Sequence, residues 1–407
     1  MTKTTAKMSI NIILLGIMSF LTDTSSEMMM PILPMFIVAL GGAPLAVGLI
    51  GGLGDSVSSI LQVFSGYWSD KFGRRKPFVF SGYAVSAIAK LFLPLSTIWQ
   101  HILVLRPSER VGKGLRTAPR DAIIAESAGA GVRGKAFGIH RAMDTSGAIL
   151  GSALVLILFW FLGLDFRPIL LVSAIIAFFA LAPLCLVREK VRKPGKFTLK
   201  ISLKALPKDL RMFVLIATIF ALGNFTYMFF ILSAQDFFTQ MFPERMAIAI
   251  PILLYMLFNI VYTSFSIPSG MLSDKIGRRN VLLLGYLLFG LTCLGFASLH
   301  STTSFVILFC LYGLAYASID GTQRAFTSDL SSEEVRGTAL GTFHTSLSLA
   351  TLPASLIAAV LWQYVNPSAA FIYGAILSLT ALILLKTYLP ADRMTHELSN
   401  RSIAQPS

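Results

Sequence analysis

The sequence predicts an all-α membrane protein of twelve transmembrane helices, arranged as two six-helix pseudo-repeat bundles with both termini cytoplasmic. Three observations predict it. Only 13% of the 407 residues are charged, 55% are hydrophobic and mean hydropathy is +0.73. Soluble domains carry about 25% charged residues, so this chain could not solvate a water-facing surface. Its apolar residues come in runs of about 20, the length of helix that crosses a hydrocarbon core; outer-membrane strands, about 10 residues long and alternating, are excluded. A ten-residue pattern also occurs twice, half a chain apart.

In order, the spans cover residues 10–38, 47–69, 78–95, 102–124, 136–162 and 168–187, then 212–238, 247–269, 281–299, 304–327, 337–362 and 369–389. They divide the chain into an N-terminal bundle (1–187), a basic cytoplasmic linker (188–211) and a C-terminal bundle with a short cytoplasmic tail (212–407). The first run follows Lys3 and Lys7, lacks a small-residue cleavage site and is interrupted by Asp23, so it reads as an uncleaved span. The linker carries nine cations against Glu189 and Asp209, and Phe197, Leu199, Ile201 and Leu203 alternate with polar residues. It suits either a solvated connection or an element lying on anionic lipid.

Charge sets the orientation. Of the 34 Lys and Arg residues, the outer loops hold only Arg167 and Arg245, eight lie within spans, and the rest are cytoplasmic if the N-terminus is inside. The expected location is the cytoplasmic membrane, with multiple passes. Trp68, Trp99, Trp160 and Trp362 fall near span ends, as an interfacial belt requires. The net charge of +14 is therefore a topology signal. Membrane lipid and a small-molecule substrate are the expected partners, nucleic acid is excluded, and a monomer is expected. Cys185, Cys293 and Cys310 each lie in an apolar run, which argues against a disulfide or a cysteine metal site.

The repeat is specific. Gly66-Tyr-Trp-Ser-Asp70-Lys71-Phe-Gly73-Arg74-Arg75 returns as Gly270-Met-Leu-Ser-Asp274-Lys275-Ile-Gly277-Arg278-Arg279, and Arg133-Gly134-Lys-Ala136-Phe-Gly138 is echoed by Arg336-Gly337-Thr-Ala339-Leu-Gly341. Parallel six-helix repeats suit transporters in which two bundles rock about a midplane site. The pattern G-x-x-x-D-[RK]-x-G-R-[RK], between spans two and three and again between eight and nine, resembles the signature of the major facilitator superfamily of secondary transporters. The resemblance covers essentially the whole chain. Gly112-Lys-Gly-Leu-Arg-Thr-Ala-Pro-Arg-Asp121 and His140-Arg-Ala-Met-Asp144-Thr look like a prokaryotic subset of unassigned substrate. The resemblance implies a conformational gate of Gly66, Asp70, Gly73 and Arg74 with Gly270, Asp274, Gly277 and Arg278. In it Asp70 meets the start of span eleven near Gly337, Asp274 faces span five near Gly134, and Arg74 and Arg278 pair with nearby acids. A carboxylate at a helix N-terminus is worth about 0.3–1 kcal/mol.

Ionisable residues inside a membrane are costly and mark function. Asp23 and Glu27 share a face of span one, Asp55 lies in span two, and His140, Arg141 and Asp144 lie in span five. Asp23, Glu27, Asp55 and Asp144 are the proton-coupling candidates. In span four, Arg106, Arg110, Lys113, Arg116 and Arg120 occupy an arc of roughly 120°, with Glu109 inside it. Such a stripe faces a cavity or the bundle interior. Arg110-Val-Gly-Lys113-Gly114 resembles the superfamily's R-x-x-Q-G motif, with Lys113 in place of Gln. Internal pairing, proton coupling and anion binding each explain these charges. In the C-half, Asp320 and Arg324 form an i,i+4 pair, and spans seven and eight are aromatic: Phe220, Phe225, Tyr227, Phe229, Phe230, Tyr255, Phe258, Tyr262 and Phe265, punctuated by Asn224 and Asn259. The cavity candidates are Arg106, Glu109, Arg110, Lys113, Arg116, His140, Arg141, Asn224, Tyr227, Asn259, Asp320 and Arg324.

Three functions remain open. The first is proton-coupled secondary transport of a small organic solute, with Gly138, Gly147 and Gly151 resembling an antiporter motif that favours export. The second is an anion exchanger or uniporter using Arg106, Arg110, Lys113 and Arg116. The third is a receptor or scaffold without transport. No phosphate-binding loop, metal-ligand spacing or catalytic triad is present, so no cofactor, metal or enzymatic activity is expected.

Overall fold

The computed structural model describes residues 10–128, 133–189, 206–331 and 336–389, with backbone alone at 133, 134, 336 and 337. Most of the basic linker, the tail from 390 and the first nine residues lie outside the described residues, so Lys3 and Lys7 and the linker's alternating stretch are not placed.

Every regular element among the described residues is helical. The first expected span is two helices, α1 (Ile10–Met29) and α2 (Leu33–Ala39), because Pro31 and Pro34 cannot continue the ladder of α1. Next come α3 (Pro44–Phe72), α4 (Lys76–Phe92), α5 (Trp99–Ser127) and α6 (Arg133–Leu156), the last extended by a π-turn at Ile157–Phe161. Proline opens α3, and Gly73 closes it in the left-handed conformation at φ +69°. The sixth expected span is α7 (Phe166–Phe179) and α8 (Ala182–Leu186), and the seventh is α9 (Lys208–Gly223) and α10 (Met228–Thr239). The chain then forms α11 (Glu244–Ile276), α12 (Arg278–Ser298), α13 (Thr302–Asp329), α14 (Arg336–Tyr364) and α15 (Pro367–Tyr388).

Eleven segments among the described residues are long and apolar enough to cross a membrane. The remaining expected span, α5, is a helix of 29 residues, but its stripe of arginine and lysine places it outside that composition. A stripe of that kind is tolerated only where the helix is enclosed by others.

The chain packs as two units. The first joins Met1–Leu199 to Thr226–Asn259, and the second joins Lys200–Phe225 to Ile260–Ser407. The expected boundary at the linker therefore does not describe the packing. Residues 226–259 lie beyond the linker in sequence, yet they belong with the first unit because α10 packs on α2 and α3. Within the first unit α1 packs on α6 and α7, while α5 packs on α3 and α4. Within the second, α12 packs on α13 and α15, and α9 on α14 and α15.

Glycines set the closest approaches. A Cβ on Gly112 of α5 would lie 2.3 Å from the Gly82 carbonyl oxygen of α4, so only hydrogen allows these backbones to touch. Gly147 and Gly151 of α6 do the same against the carbonyls of Phe20 and Thr24 in α1, each at 2.3 Å. Gly138 meets nothing within 4 Å among the described residues. Gly112→Ala should therefore destabilise the purified protein by about 1–3 kcal/mol, the usual cost of overpacking. Gly138→Ala should be neutral or gain up to about 1 kcal/mol of helix propensity. Thermal unfolding of the two variants in detergent checks this, and equal losses would contradict the packing.

Candidate functional site

The charged stripe of α5 is almost entirely engaged within the first unit. Arg106, only 2% exposed, pairs with Glu109 at 2.7 Å, and its second Nη reaches the Met30 sulfur at 3.1 Å. Arg110 pairs with Asp55 at 3.3 Å and Glu109 at 3.8 Å. Arg116 donates to Ser86 Oγ at 2.6 Å and lies 4.4 Å above the Tyr83 ring. Arg120 pairs with Asp121 at 3.0 Å and reaches Ser19 Oγ at 3.4 Å. Ion pairing thus accounts for three of the five cations, and neutral groups hold Arg116. Lys113 is exposed, and its ammonium makes no hydrogen bond or ion pair among the described residues.

Opposite the stripe stands the acidic face of α1. The close approach at Gly147 and Gly151 brings α6 against α1 and sets Asp144 beside Ser19, one helical turn from Asp23. Ser19 Oγ donates to Asp144 Oδ1 at 2.6 Å, and Arg141 pairs with Oδ2 at 3.1 Å. Ser19 thus lies between Arg120 and Asp144. His140 is buried beside this group, with Nε2 unpartnered among the described residues.

Glu27, one turn beyond Asp23, has different partners. Its Oε2 accepts from Tyr255 Oη at 3.0 Å and from Asn259 Nδ2 at 3.1 Å, and Asn259 also reaches Ser152 Oγ at 3.2 Å. Tyr227 donates to the Met30 sulfur at 2.8 Å and stacks obliquely on Tyr255 with centroids 5.6 Å apart. Arg245 donates to the Phe159 carbonyl at 2.6 Å, in the π-turn of α6. These contacts bind 226–259 to the first repeat.

Sequence reasoning missed Lys90 of α4. It is 1% exposed and donates to Ser25 Oγ at 2.8 Å and Ser26 Oγ at 2.9 Å. A lone lysine in an apolar run was the available signal.

In the second unit, Asp320 pairs with Arg324 at 2.6 Å and accepts from Tyr262 Oη at 3.1 Å. Asn224, at the break after α9, accepts from Tyr316 Oη at 2.9 Å. The aromatic residues do not form one lining. Phe220 stacks on Tyr286 in the core, Phe225, Phe229 and Phe230 are buried, and Phe265 is exposed.

The two copies of the signature differ in detail. In the second, Arg278 pairs with Asp274 at 3.0 Å and Asp329 at 2.5 Å. In the first, Arg74 is exposed, and Arg75 makes the pair with Asp70 at 2.7 Å and a further one with Glu126. The Arg75 backbone N–H also donates to Glu189. Burial opposes the charge of Arg75, but its bonds to the two acids outweigh this and hold its pKa above the ordinary value.

The family model described as Major Facilitator Superfamily matches residues 15–244 and 214–406. The chain belongs to the major facilitator superfamily. It is 52% identical over 380 residues to an uncharacterized MFS-type transporter of Methanocaldococcus jannaschii, covering 93% of this chain and 95% of the relative. The nucleoside transporter NupG superposes with a TM-score of 0.73 at 16% identity, covering 93% of this chain and 98% of that one. A D-xylose-proton symporter superposes at 0.67 and 18% identity, covering 92% and 96%. This superfamily member is thus a multi-pass secondary transporter of a small molecule and not an enzyme.

Arg75→Ala should cost about 1–3 kcal/mol, because it removes a buried cation from charged hydrogen bonds. Arg74→Ala should stay within about 0.5 kcal/mol, as exposed substitutions do. Thermal unfolding separates the two, and a larger loss at Arg74 would contradict the pairing.

Proposed function

We propose that this transporter is proton-coupled and that Asp23 and Asp144 together hold the transported proton. The observation that carries the reading is the bond from Ser19 to Asp144, which sets that carboxylate one helical turn from Asp23 across the α1–α6 contact. Two carboxylates repel, whereas a carboxylic acid and a carboxylate share a proton in a strong, charge-assisted bond. Asp55 is less suited to the task, because it pairs with Arg110 and not with a second acid across a helix contact. The superposition on a D-xylose-proton symporter supports the compatibility of this fold with proton coupling.

In this reading α5 is the twelfth span, the termini are cytoplasmic and the protein sits in the cytoplasmic membrane as a monomer. Alternating access exposes the carboxyl pair to each side in turn. Glu27 links the acid face of α1 to Tyr255 and Asn259, so opening the end of the bundle where they meet requires breaking those bonds. Asp70 with Arg75 in the first unit, and Asp274 with Arg278 in the second, bias the conformational equilibrium through their ion pairs. His140 and Arg141 are solute-path candidates within the first unit, and Asp320 and Arg324 within the second. The three glycines behind the expectation of export have another role at two positions, since Gly147 and Gly151 pack α6 against α1. Direction follows from coupling: a solute moving with the proton enters, and one exchanged for it leaves.

In proteoliposomes, an imposed pH gradient should drive net flux of a transported member of a labelled solute panel. The gradient can supply the work, since a charge crossing 100 mV is worth about 2.3 kcal/mol. Asp23→Asn and Asp144→Asn should each abolish accumulation while sparing solute exchange, and Asp55→Asn should retain gradient-driven flux. Flux indifferent to the pH gradient would overturn the reading.

A further inference from the structure

Lys113 stands apart from every other interior cation of the first unit. Helix geometry gives the direction of its side chain. Gly112 and Arg116 face α4, and Arg110 and Gly114 face α3 through Asp55 and Ser58. Val104, 65% exposed, marks the outward face of α5. Nine residues at about 100° each place Lys113 about 180° from Val104, on the inward face between Arg106 and Arg120. It is nevertheless exposed. An inward-facing yet exposed ammonium is one that the helices packed around α5 leave open.

Its surroundings leave it unsatisfied. Asp23, Glu27, Glu109, Arg110 and Arg116 act on it electrostatically, but no carboxylate lies within 4 Å. The other two cations without an acid partner are held by neutral groups: Lys90 by Ser25 and Ser26, and Arg116 by Ser86 and the Tyr83 ring. Lys113 alone keeps three free donors. The guanidinium forks that would suit a phosphate are already occupied, so what remains is a single point charge matched to a single negative one.

We propose that Lys113 receives the carboxylate of a small organic monoanion, which binds together with the proton held by Asp23 and Asp144. This rests on the proton-coupled reading for its coupling, though not for the binding site itself. When the carboxyl pair holds its proton, less negative charge competes for the ammonium and the solute carboxylate takes it. When the proton leaves, Asp23 regains its charge and draws Lys113 back. Proton and anion therefore travel the same way, and the inward proton gradient drives uptake, in place of the export suggested by the glycine spacing.

The test uses the full-length protein in detergent, with a panel of aliphatic and aromatic monocarboxylates and their neutral amides, scored by thermal shift and then titrated. At least one carboxylate should bind, more tightly at pH 5.5 than at pH 8, while its amide does not. Lys113→Gln should weaken that binding at least tenfold, and Lys113→Arg should restore it to within about threefold. Amides binding as well as acids, no carboxylate binding, or a Lys113→Gln variant with undiminished affinity would overturn the proposal. Because acid and amide are compared on the wild type, the result does not depend on the variants folding. Lys113-dependent binding indifferent to pH and to Asp23→Asn would leave the anion site standing and remove the coupling. Gradient-driven flux that persists in Lys113→Gln with no preference for anions would do the reverse.

Discussion

Two carboxyl groups cannot hydrogen-bond to one another unless one of them keeps its proton. In water the constraint is trivial, because both ionise and move apart. Inside a helical bundle the effective dielectric constant falls to about 4–20, and the groups are fixed to helices that have no room to separate. On the proposed reading, a proton shared by Asp23 and Asp144 gives the other interior charges their meaning. Arg106, Arg110 and Arg120 are spent on Glu109, Asp55 and Asp121. The cations are therefore not a general anion trap. On the proposed reading they hold an arrangement in which one proton and one ammonium remain available.

Backbone packing produces this chemistry. Gly147 and Gly151 let α6 lie directly on the carbonyls of Phe20 and Thr24, and Asp144 sits one turn from the first contact. A side chain at either glycine would separate the helices and with them the carboxyl groups. The prolines that end α1 have a comparable effect. They turn the chain just after Met29, leaving the Met30 sulfur to meet Arg106 and Tyr227. Packing and coupling are in this sense one property, and stability at these glycines cannot be varied without touching the site.

Much of this was legible in the sequence, and the reasons differ by residue. Hydropathy and the repeated signature gave the helices and the family, because both are local patterns. The shared face of Asp23 and Glu27, and the stripe on α5, follow from the helical period alone. What a helical period cannot supply is the partner across the gap. Lys90 looked like one more lysine in an apolar run, since Ser25 and Ser26 come from another helix. The resemblance pairs Arg74 with nearby acids, whereas Arg75 makes those pairs, and a motif does not say which of two adjacent arginines turns inward. The attachment of 226–259 to the first unit depends on tertiary packing and left no mark in composition.

The proposed shared proton can be tested directly. Infrared spectroscopy of the purified protein at neutral pH, in light and heavy water, distinguishes a protonated carboxyl group from an ionised one by its carbonyl stretch. The account predicts a carbonyl band of a protonated carboxyl in the wild type, shifted by deuterium and lost in both Asp23→Asn and Asp144→Asn. A spectrum showing ionised carboxylates alone, or a protonated band that survives both substitutions, would contradict it.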